Sequence, residues 1–398
     1  MFLKLFYPVL FLLFFQLLGY IFWNGFAIET KIQTNFVVSF CYLFCILTII
    51  FFGIFNNKEE EKLLKKMHFE NKKINFIFIL IALAFILRPT IVLIGLSMEF
   101  GGEYVRTSYF NDPGFFDIVY GKGIIATLTN YYIVPILWFY LIFIMDDKSN
   151  FGKFTFYFLL ILLVVYNASY SGRFYIYFGL IVLYLRCIFN KVSFIEFIKN
   201  NSIIIFIFTF FSYFILVNRQ YEYGGKISFT ENLLSIFEYH LISPYLLSQK
   251  IDDGVFKLDV YSYPFRVVVE NLFIPFYLFI LKVNINDLAY FDHTGRVLSV
   301  ASLYSEYTQS YYNAYGSMFY FFYADTKLFS PIFVILFIGY LLISSKFIGN
   351  HLVRYKYLAF LSLIMYFSLF QAMLFAPGYL LIIIGLPLFY LFFSKRNR

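Results

Sequence analysis

The sequence predicts an all-α polytopic membrane protein, and its composition, its long apolar runs and the distribution of its positive charge all indicate that class. Of 398 residues, 61% are hydrophobic and only 14% are charged, whereas soluble domains average about 25% charged residues and 45–50% apolar residues. Such a composition excludes a secreted or cytosolic enzyme, a disordered protein and a nucleic-acid-binding domain. We therefore expect the lipid bilayer to surround the chain and no nucleic acid to bind it.

Ten apolar runs are long enough to cross a bilayer as helices, which takes about 17–25 residues. The first run follows Lys4 and has no small-residue cleavage site, so it is typical of a retained signal anchor. We predict spans at 5–23, 34–55, 74–96, 123–145, 154–170, 174–190, 201–217, 328–345, 357–376 and 378–393.

The positive charge gives an orientation. With the N-terminus inside, the cytoplasmic segments hold 18 Lys and Arg residues and the short outer loops hold four. Cytoplasmic loops carry such an excess, so both termini are expected in the cytoplasm. No duplicated halves are visible, and we expect one integral membrane domain over 1–398.

The region 218–327, between the seventh and eighth spans, is predicted to be one long outer-face loop. It carries a net charge of −3. Its apolar patches at 232–247 and 272–281 are short for spans, so we expect interfacial or re-entrant helices there. A single extra span in this region would also move every later loop to the opposite side of the membrane and place the basic C-terminus outside.

Familiar catalytic motifs are absent. The sequence has no GxxxxGK[ST] phosphate loop, HExxH, GxSxG, CxxC or Asp-x-Asp pair, and its three cysteines lie in apolar runs. We expect no metal and no cofactor. The cytoplasmic loops are short apart from 56–73, so the chemistry is expected in the membrane or at its outer face.

Four arginines are candidate ligands of an anion. Arg173 follows the short turn between the fifth and sixth spans, and Arg219 closes the seventh at the same depth. Two guanidinium groups at one level are suited to phosphate, which arginine pairs with bidentately. Arg88 lies inside the third span and Arg296 lies in the long loop. The alternatives are snorkelling at the interface for Arg173 and Arg88 and an ordinary loop position for Arg296.

Two histidines of the long loop, His240 and His293, are candidate general bases. Imidazole titrates near neutral pH, which suits proton abstraction from a sugar hydroxyl. The alternative for each is a hydrogen-bonded structural residue.

Two stretches resemble the Wzy-type polymerases, which join O-antigen or capsular oligosaccharide repeat units on a polyprenyl lipid. The first stretch runs from Asn167 to Arg173 and is a turn of small residues that ends with an arginine. The second runs from Tyr307 to Asp325 and is similar to that family's Tyr-Thr…Asn-x-(Tyr/Phe)-Gly-(Thr/Ser)…Phe-x-x-Asp pattern. Ten or more spans with one long outer loop are also typical of the family. One departure is that Thr326 follows Asp325 where many members have glycine.

The resemblance implies a glycosyltransferase of the bacterial inner membrane that works at the periplasmic face without metal or nucleotide. Both donor and acceptor would be oligosaccharides linked to undecaprenyl pyrophosphate. The partners it implies are the bilayer, a chain-length regulator and a flippase. The implied roles are pyrophosphate binding by Arg173, Arg219 and Arg296, proton abstraction by His240, Glu238 or His293, and sugar positioning by Asn313 and Asp325.

Two alternatives stay open. An O-antigen ligase shares the many spans and the long outer loop, although the stretch that begins at Tyr307 favours the polymerase. A flippase or transporter of lipid-linked oligosaccharide would instead show paired halves and more charge at mid-membrane.

Overall fold

A computed structural model describes most of the chain. The described residues are 1–26, 28, 30–56, 72–170, 174–222, 229–254, 265–274, 277, 280–283, 287–290, 303–308, 310–312 and 317–393. They fall into two compact units, one of residues 1–63 with 229–398 and one of residues 64–228. We call them the terminal unit and the central unit.

The described residues are predominantly α-helical. In chain order the helices are α1 (Phe2–Phe22), α2 (Ile32–Asn56), α3 (Lys72–Ala82), α4 (Arg88–Phe100), α5 (Gly102–Asn111), α6 (Pro113–Tyr120), α7 (Gly123–Leu128), α8 (Val134–Ile144), α9 (Asn150–Ala168), α10 (Phe174–Asn190), α11 (Phe194–Glu222), α12 (Phe229–Asp252), α13 (Arg266–Leu272), α14 (Met318–Thr326), α15 (Ser330–Ser344), α16 (His351–Ser368) and α17 (Pro377–Phe393). A short antiparallel hairpin, β1 (Leu303–Ser305) and β2 (Ser310–Tyr312), precedes α14.

Seven helices in the described part of the chain are long and apolar enough to cross a membrane. They are Phe2–Phe22, Ile32–Phe55, Lys72–Phe100, Gly123–Ile144, Asn150–Ala168, Ile195–Tyr213 and Met318–Phe347. Two shorter apolar helices are Tyr175–Asn190 and Pro377–Phe392. These helices make the chain a multi-pass membrane protein, and the total of ten spans stays a prediction.

Two of the spanning helices contain a π-helical turn, and each turn has a proline two residues beyond it. The turns are Leu83–Leu87, ahead of Pro89, and Thr129–Ile133, ahead of Pro135. Proline has no N–H to donate and its ring crowds the carbonyl four residues earlier. The widened turn relieves that crowding while the helix continues.

Helix α16 is the centre of the terminal unit, with fourteen of its 18 residues buried. Ser362 Oγ donates to the Leu5 carbonyl of α1 at 2.6 Å, and the Tyr357 hydroxyl donates to the Ile383 carbonyl of α17 at 3.0 Å. The sequence predicted a span to residue 376, but α16 ends at Ser368. Ser368 Oγ accepts from the Leu374 amide at 2.7 Å, and this hydrogen bond holds the turn that follows the helix.

Helix α12 belongs to the predicted outer loop and packs against both α1 and α2. Gln16 Nε2 donates to the His240 carbonyl at 3.0 Å. At the other end of α12, the Asp252 carboxylate accepts from the Lys31 amide at 2.9 Å and from Thr34 Oγ1 at 2.6 Å. The apolar patch predicted at 232–247 is helical within α12, whereas α13 ends where the second patch, 272–281, begins. An interfacial or re-entrant position for these segments stays a prediction. The all-α prediction is correct for the helices but missed the hairpin.

The start of α9 requires glycine at position 152. A Cβ built there would lie 2.0 Å from the carboxylate of Asp147, which is buried and accepts from the Ser149 amide. We expect Gly152→Ala to lower the free energy of unfolding by about 1–3 kcal/mol through overpacking. Gly95→Ala in α4, where nothing lies within 4 Å of the new Cβ, is the control. Unfolding midpoints in detergent measure both, and equal midpoints would contradict the prediction.

Candidate active site

Glu238 joins two distant segments of the terminal unit. It is fully buried on α12. Its Oε1 accepts from Ser305 Oγ at 2.6 Å, and its Oε2 accepts from Thr308 Oγ1 at 2.8 Å. The Ser305 hydroxyl in turn accepts from the amides of Tyr307 and Thr308 at 3.2 Å. The carboxylate therefore holds the turn of the hairpin against α12 with both of its oxygens.

The connection between α1 and α2 holds the hairpin from its other side. The Glu306 amide donates to the Gly25 carbonyl at 2.9 Å, and the Tyr307 hydroxyl donates to Asn24 Oδ1 at 2.7 Å. A Cβ at Gly25 would lie 2.4 Å from the Tyr307 ring and 2.5 Å from Trp23 Nε1. Only glycine permits this close approach, so the hairpin is fixed in one position.

His240 lies two residues beyond Glu238 and is partly exposed. Its Nδ1 is 2.7 Å from the Ile236 carbonyl. A carbonyl oxygen only accepts, so Nδ1 carries the proton and Nε2 is the basic nitrogen of the neutral ring. The ring packs edge-on against Phe370 at 5.3 Å between centroids. This tautomer is the one that a general base acting through Nε2 requires.

Asp325 lies near the end of α14 and lines a small cleft of about 10 Å³. Its Oδ2 accepts from the Val267 amide at 3.3 Å, which links α14 to the first turn of α13. The rest of the lining is mostly aromatic and aliphatic: Phe265, Val267, Val268, Phe321, Phe322, Thr326 and Phe375. A space of this size holds about one water molecule, so the role of Asp325 in sugar positioning stays a prediction.

Helix α13 is held beside this cleft by charged contacts. Arg266 Nε donates to Glu270 Oε1 at 2.7 Å, and Glu270 Oε2 accepts from the Ala289 amide at 2.5 Å. Asn271 Nδ2 donates to the Phe375 carbonyl at 2.6 Å. These bonds give the cleft a fixed wall.

Arg88 lies in the central unit, in the turn that follows the first π-helical turn. Its side chain is exposed, and its guanidinium lies beside Gly121, where a Cβ would be 3.2 Å from Nη1. Gly121 has φ +84°, a conformation that also favours glycine. Arg88 thus lies at the surface of its helix, and its role in substrate binding stays a prediction.

Several predicted site residues lie outside what the structure describes. They are Arg173, His293, Arg296 and Asn313. Arg219 lies within α11, but its side chain is not among those described. Their predicted roles are untested.

The sequence analysis missed Lys250, two turns beyond Ser243 on α12. Only 1% of its surface is exposed, and its Nζ lies 5.1 Å from the centroid of the Tyr320 ring. Burial lowers the pKa of the Lys250 ammonium to about 8. A lysine in a predicted loop gives no sign of burial in the sequence, because the burial arises from tertiary packing, which includes the Tyr320 ring.

The lowered pKa makes the stability depend on pH. Between about pH 8 and 10.5 the unfolded chain binds this proton and the folded chain does not, so the free energy of unfolding rises with pH across that window. We expect a gain of about 3 kcal/mol, at about 1.4 kcal/mol for each pH unit. Unfolding midpoints of the wild type and Lys250→Met in detergent, compared from about pH 7 to 10, isolate this gain. Parallel curves for the two proteins would contradict it.

Comparison with known proteins finds no relative of this chain. No family model matches the chain, and no curated protein or solved structure matches it significantly. The function must therefore be inferred from the residues themselves.

Proposed function

We propose that this protein is a glycosyltransferase that polymerises undecaprenyl-pyrophosphate-linked oligosaccharide repeat units at the outer face of the bacterial inner membrane. The observation that carries the proposal is the contact between Glu238 and the hairpin. It joins the α12 segment that holds His240 to the Tyr307–Thr308 segment of the polymerase-like stretch, 70 residues away in the chain. Both segments were singled out independently from the sequence.

In the proposed reaction His240 is the general base. Its Nε2 takes the proton of an acceptor hydroxyl as the oxygen attacks the anomeric carbon of the donor sugar, and the lipid pyrophosphate leaves. Glu238 is the less suitable base because it is fully buried and both of its oxygens accept hydrogen bonds. We assign to it the positioning of the hairpin. The proposed sugar contact of Asp325 rests on the family resemblance.

The proposed clamp of Arg173, Arg219 and Arg296 on pyrophosphate rests on the sequence and on the family resemblance. No metal is needed in this scheme, because guanidinium groups supply the positive charge that a pyrophosphate leaving group requires. The inner-membrane location and the cytoplasmic termini rest on the distribution of Lys and Arg.

The experiment is a gene deletion followed by gel analysis of surface polysaccharide and of lipid-linked intermediates. The proposal expects the ladder to collapse to a single repeat unit that is still transferred onward. Polymer that accumulates on its lipid carrier would indicate a ligase instead. Single units stranded on the cytoplasmic side would indicate a flippase, and an unchanged ladder would reject all three.

A further inference from the structure

Three aromatic rings of the terminal unit, those of Trp23, Phe237 and Tyr307, form a surface that we call the aromatic platform. The Trp23 ring lies 5.1 Å between centroids from each of the other two, inclined by 60° to Phe237 and by 64° to Tyr307. Phe237 is 37% exposed, Tyr307 is 50% exposed and Trp23 is partly exposed. Trp23 directly follows the membrane-spanning helix Phe2–Phe22. The platform is therefore accessible and lies where that helix leaves the apolar region.

Asn24 adds polar groups at the edge of the aromatic platform. The residue is exposed, and its Oδ1 accepts from the Tyr307 hydroxyl at 2.7 Å. That hydrogen bond fixes the amide and leaves Nδ2, with its two N–H groups, on the side away from the hydroxyl. Within the described residues Nδ2 has no acceptor. Two donors therefore stand ready beside the three rings.

The aromatic platform is rigid and adjoins the proposed base. The Gly25 contact and the hydrogen bonds of Glu238 hold the turn that carries Tyr307 in one position, and a preorganised surface loses little freedom when it binds. Phe237 and His240 are three residues apart on α12, so their side chains share one face of the helix. A ligand on the platform therefore lies next to His240.

We propose that the aromatic platform and the Asn24 amide bind a sugar of the acceptor oligosaccharide, with a pyranose ring on the platform and its hydroxyls at Nδ2. The C–H groups on a pyranose face are apolar and slightly positive, which suits the negative faces of aromatic rings, whereas the hydroxyls need placed hydrogen-bond partners. Assigning this sugar to the acceptor rests on the proposed function, because His240 takes its proton from the acceptor. The affinity of the platform for a sugar does not.

Tryptophan fluorescence tests the platform directly. The chain has two tryptophans, and the other one, Trp138, is fully buried in the central unit. The purified full-length protein, in a detergent without a sugar head group, is titrated with the repeat-unit oligosaccharide released by mild acid from the strain's own surface polysaccharide. We expect a saturable blue shift, because the sugar excludes water from the indole.

Two tryptophan variants assign that signal. Trp23→Phe should remove the fluorescence response, and Trp138→Phe should retain it. An unchanged emission from the wild type, or a response that persists in Trp23→Phe, would overturn the site.

Titration calorimetry with the same oligosaccharide measures the contribution of each residue. Trp23→Ala and Tyr307→Ala should each weaken binding about tenfold, because each removes one ring of the platform. Asn24→Ala should weaken it about fivefold through the loss of the amide donors. If Trp23→Ala fails to fold, Asn24→Ala at its exposed position carries the test, and wild-type affinity in that variant would overturn the site.

Phe22 supplies the matched control. It precedes Trp23 in the chain and is 78% exposed, so Phe22→Ala should bind the oligosaccharide as the wild type does. Equal losses in Phe22→Ala and Trp23→Ala would make these residues part of an aromatic belt at the membrane interface and would overturn the site.

The glycan ladder separates the site from the proposed function. Strains that carry Tyr307→Ala or Asn24→Ala should produce a shortened ladder, because the acceptor binds less tightly. Oligosaccharide binding by a protein whose deletion leaves the ladder intact would reject the polymerase and retain the sugar site. A ladder that needs the protein but stays at full length in both variants would reject the acceptor site alone.

Discussion

His240→Ala is expected to abolish extension of the glycan beyond one repeat unit. Loss of a positioned general base typically costs about 10²–10⁴ in rate, and alanine has no group to take the acceptor proton. The measurement is the polysaccharide ladder of a deletion strain that carries the variant, together with turnover of lipid-linked repeat units by the purified enzyme.

His351 supplies the control. It lies exposed at the start of α16, and His351→Ala should leave the ladder unchanged. The unfolding midpoint of His240→Ala should stay near that of the wild type, because His240 lies at a partly exposed position. A full ladder from His240→Ala would remove His240 from the mechanism.

Glu238→Ala is expected to produce the largest loss of stability among single substitutions in the candidate active site. It removes the acceptor of two hydroxyls, Ser305 Oγ and Thr308 Oγ1, and leaves a void in a fully buried position. Each hydroxyl left without an acceptor costs about 1–3 kcal/mol, so we expect a total of about 2–6 kcal/mol. Unfolding midpoints in detergent and the rate of proteolysis within the hairpin measure this effect.

Glu238→Gln separates positioning from acid–base chemistry. The amide oxygen of the glutamine accepts one of the two hydrogen bonds. Glu238→Gln should therefore retain part of the stability and part of the activity that Glu238→Ala loses. The exposed Asp253 on the same segment is the control, and Asp253→Asn should have no effect on the midpoint. A stable Glu238→Gln without any activity would instead make Glu238 the base and contradict its positioning role.

The sequence predicted the candidate active site less completely than it predicted the membrane helices. It singled out Glu238 and His240 as neighbours on one segment and the stretch from Tyr307 to Asp325 as another. It gave no sign that Ser305 and Thr308 would meet Glu238. Serine and threonine are common in loops, and their partners depend on which loop returns to which helix.

Lys250 illustrates the same limit. Its burial arises only from tertiary packing, which brings the Tyr320 ring of α14 beside its ammonium. The π-helical turns before Pro89 and Pro135 differ from these tertiary contacts. They follow from a local steric effect of the proline ring.

The sequence by itself determined that this is a helical, multi-pass membrane protein. Transfer of a helix into lipid depends on the apolar residues of that segment alone, so about 20 consecutive residues suffice to predict it. The tertiary structure alone decided that Glu238 holds a hairpin and that Lys250 is buried beside the Tyr320 ring. These properties depend on hydrogen bonds and burial between segments far apart in the chain, which no local pattern encodes.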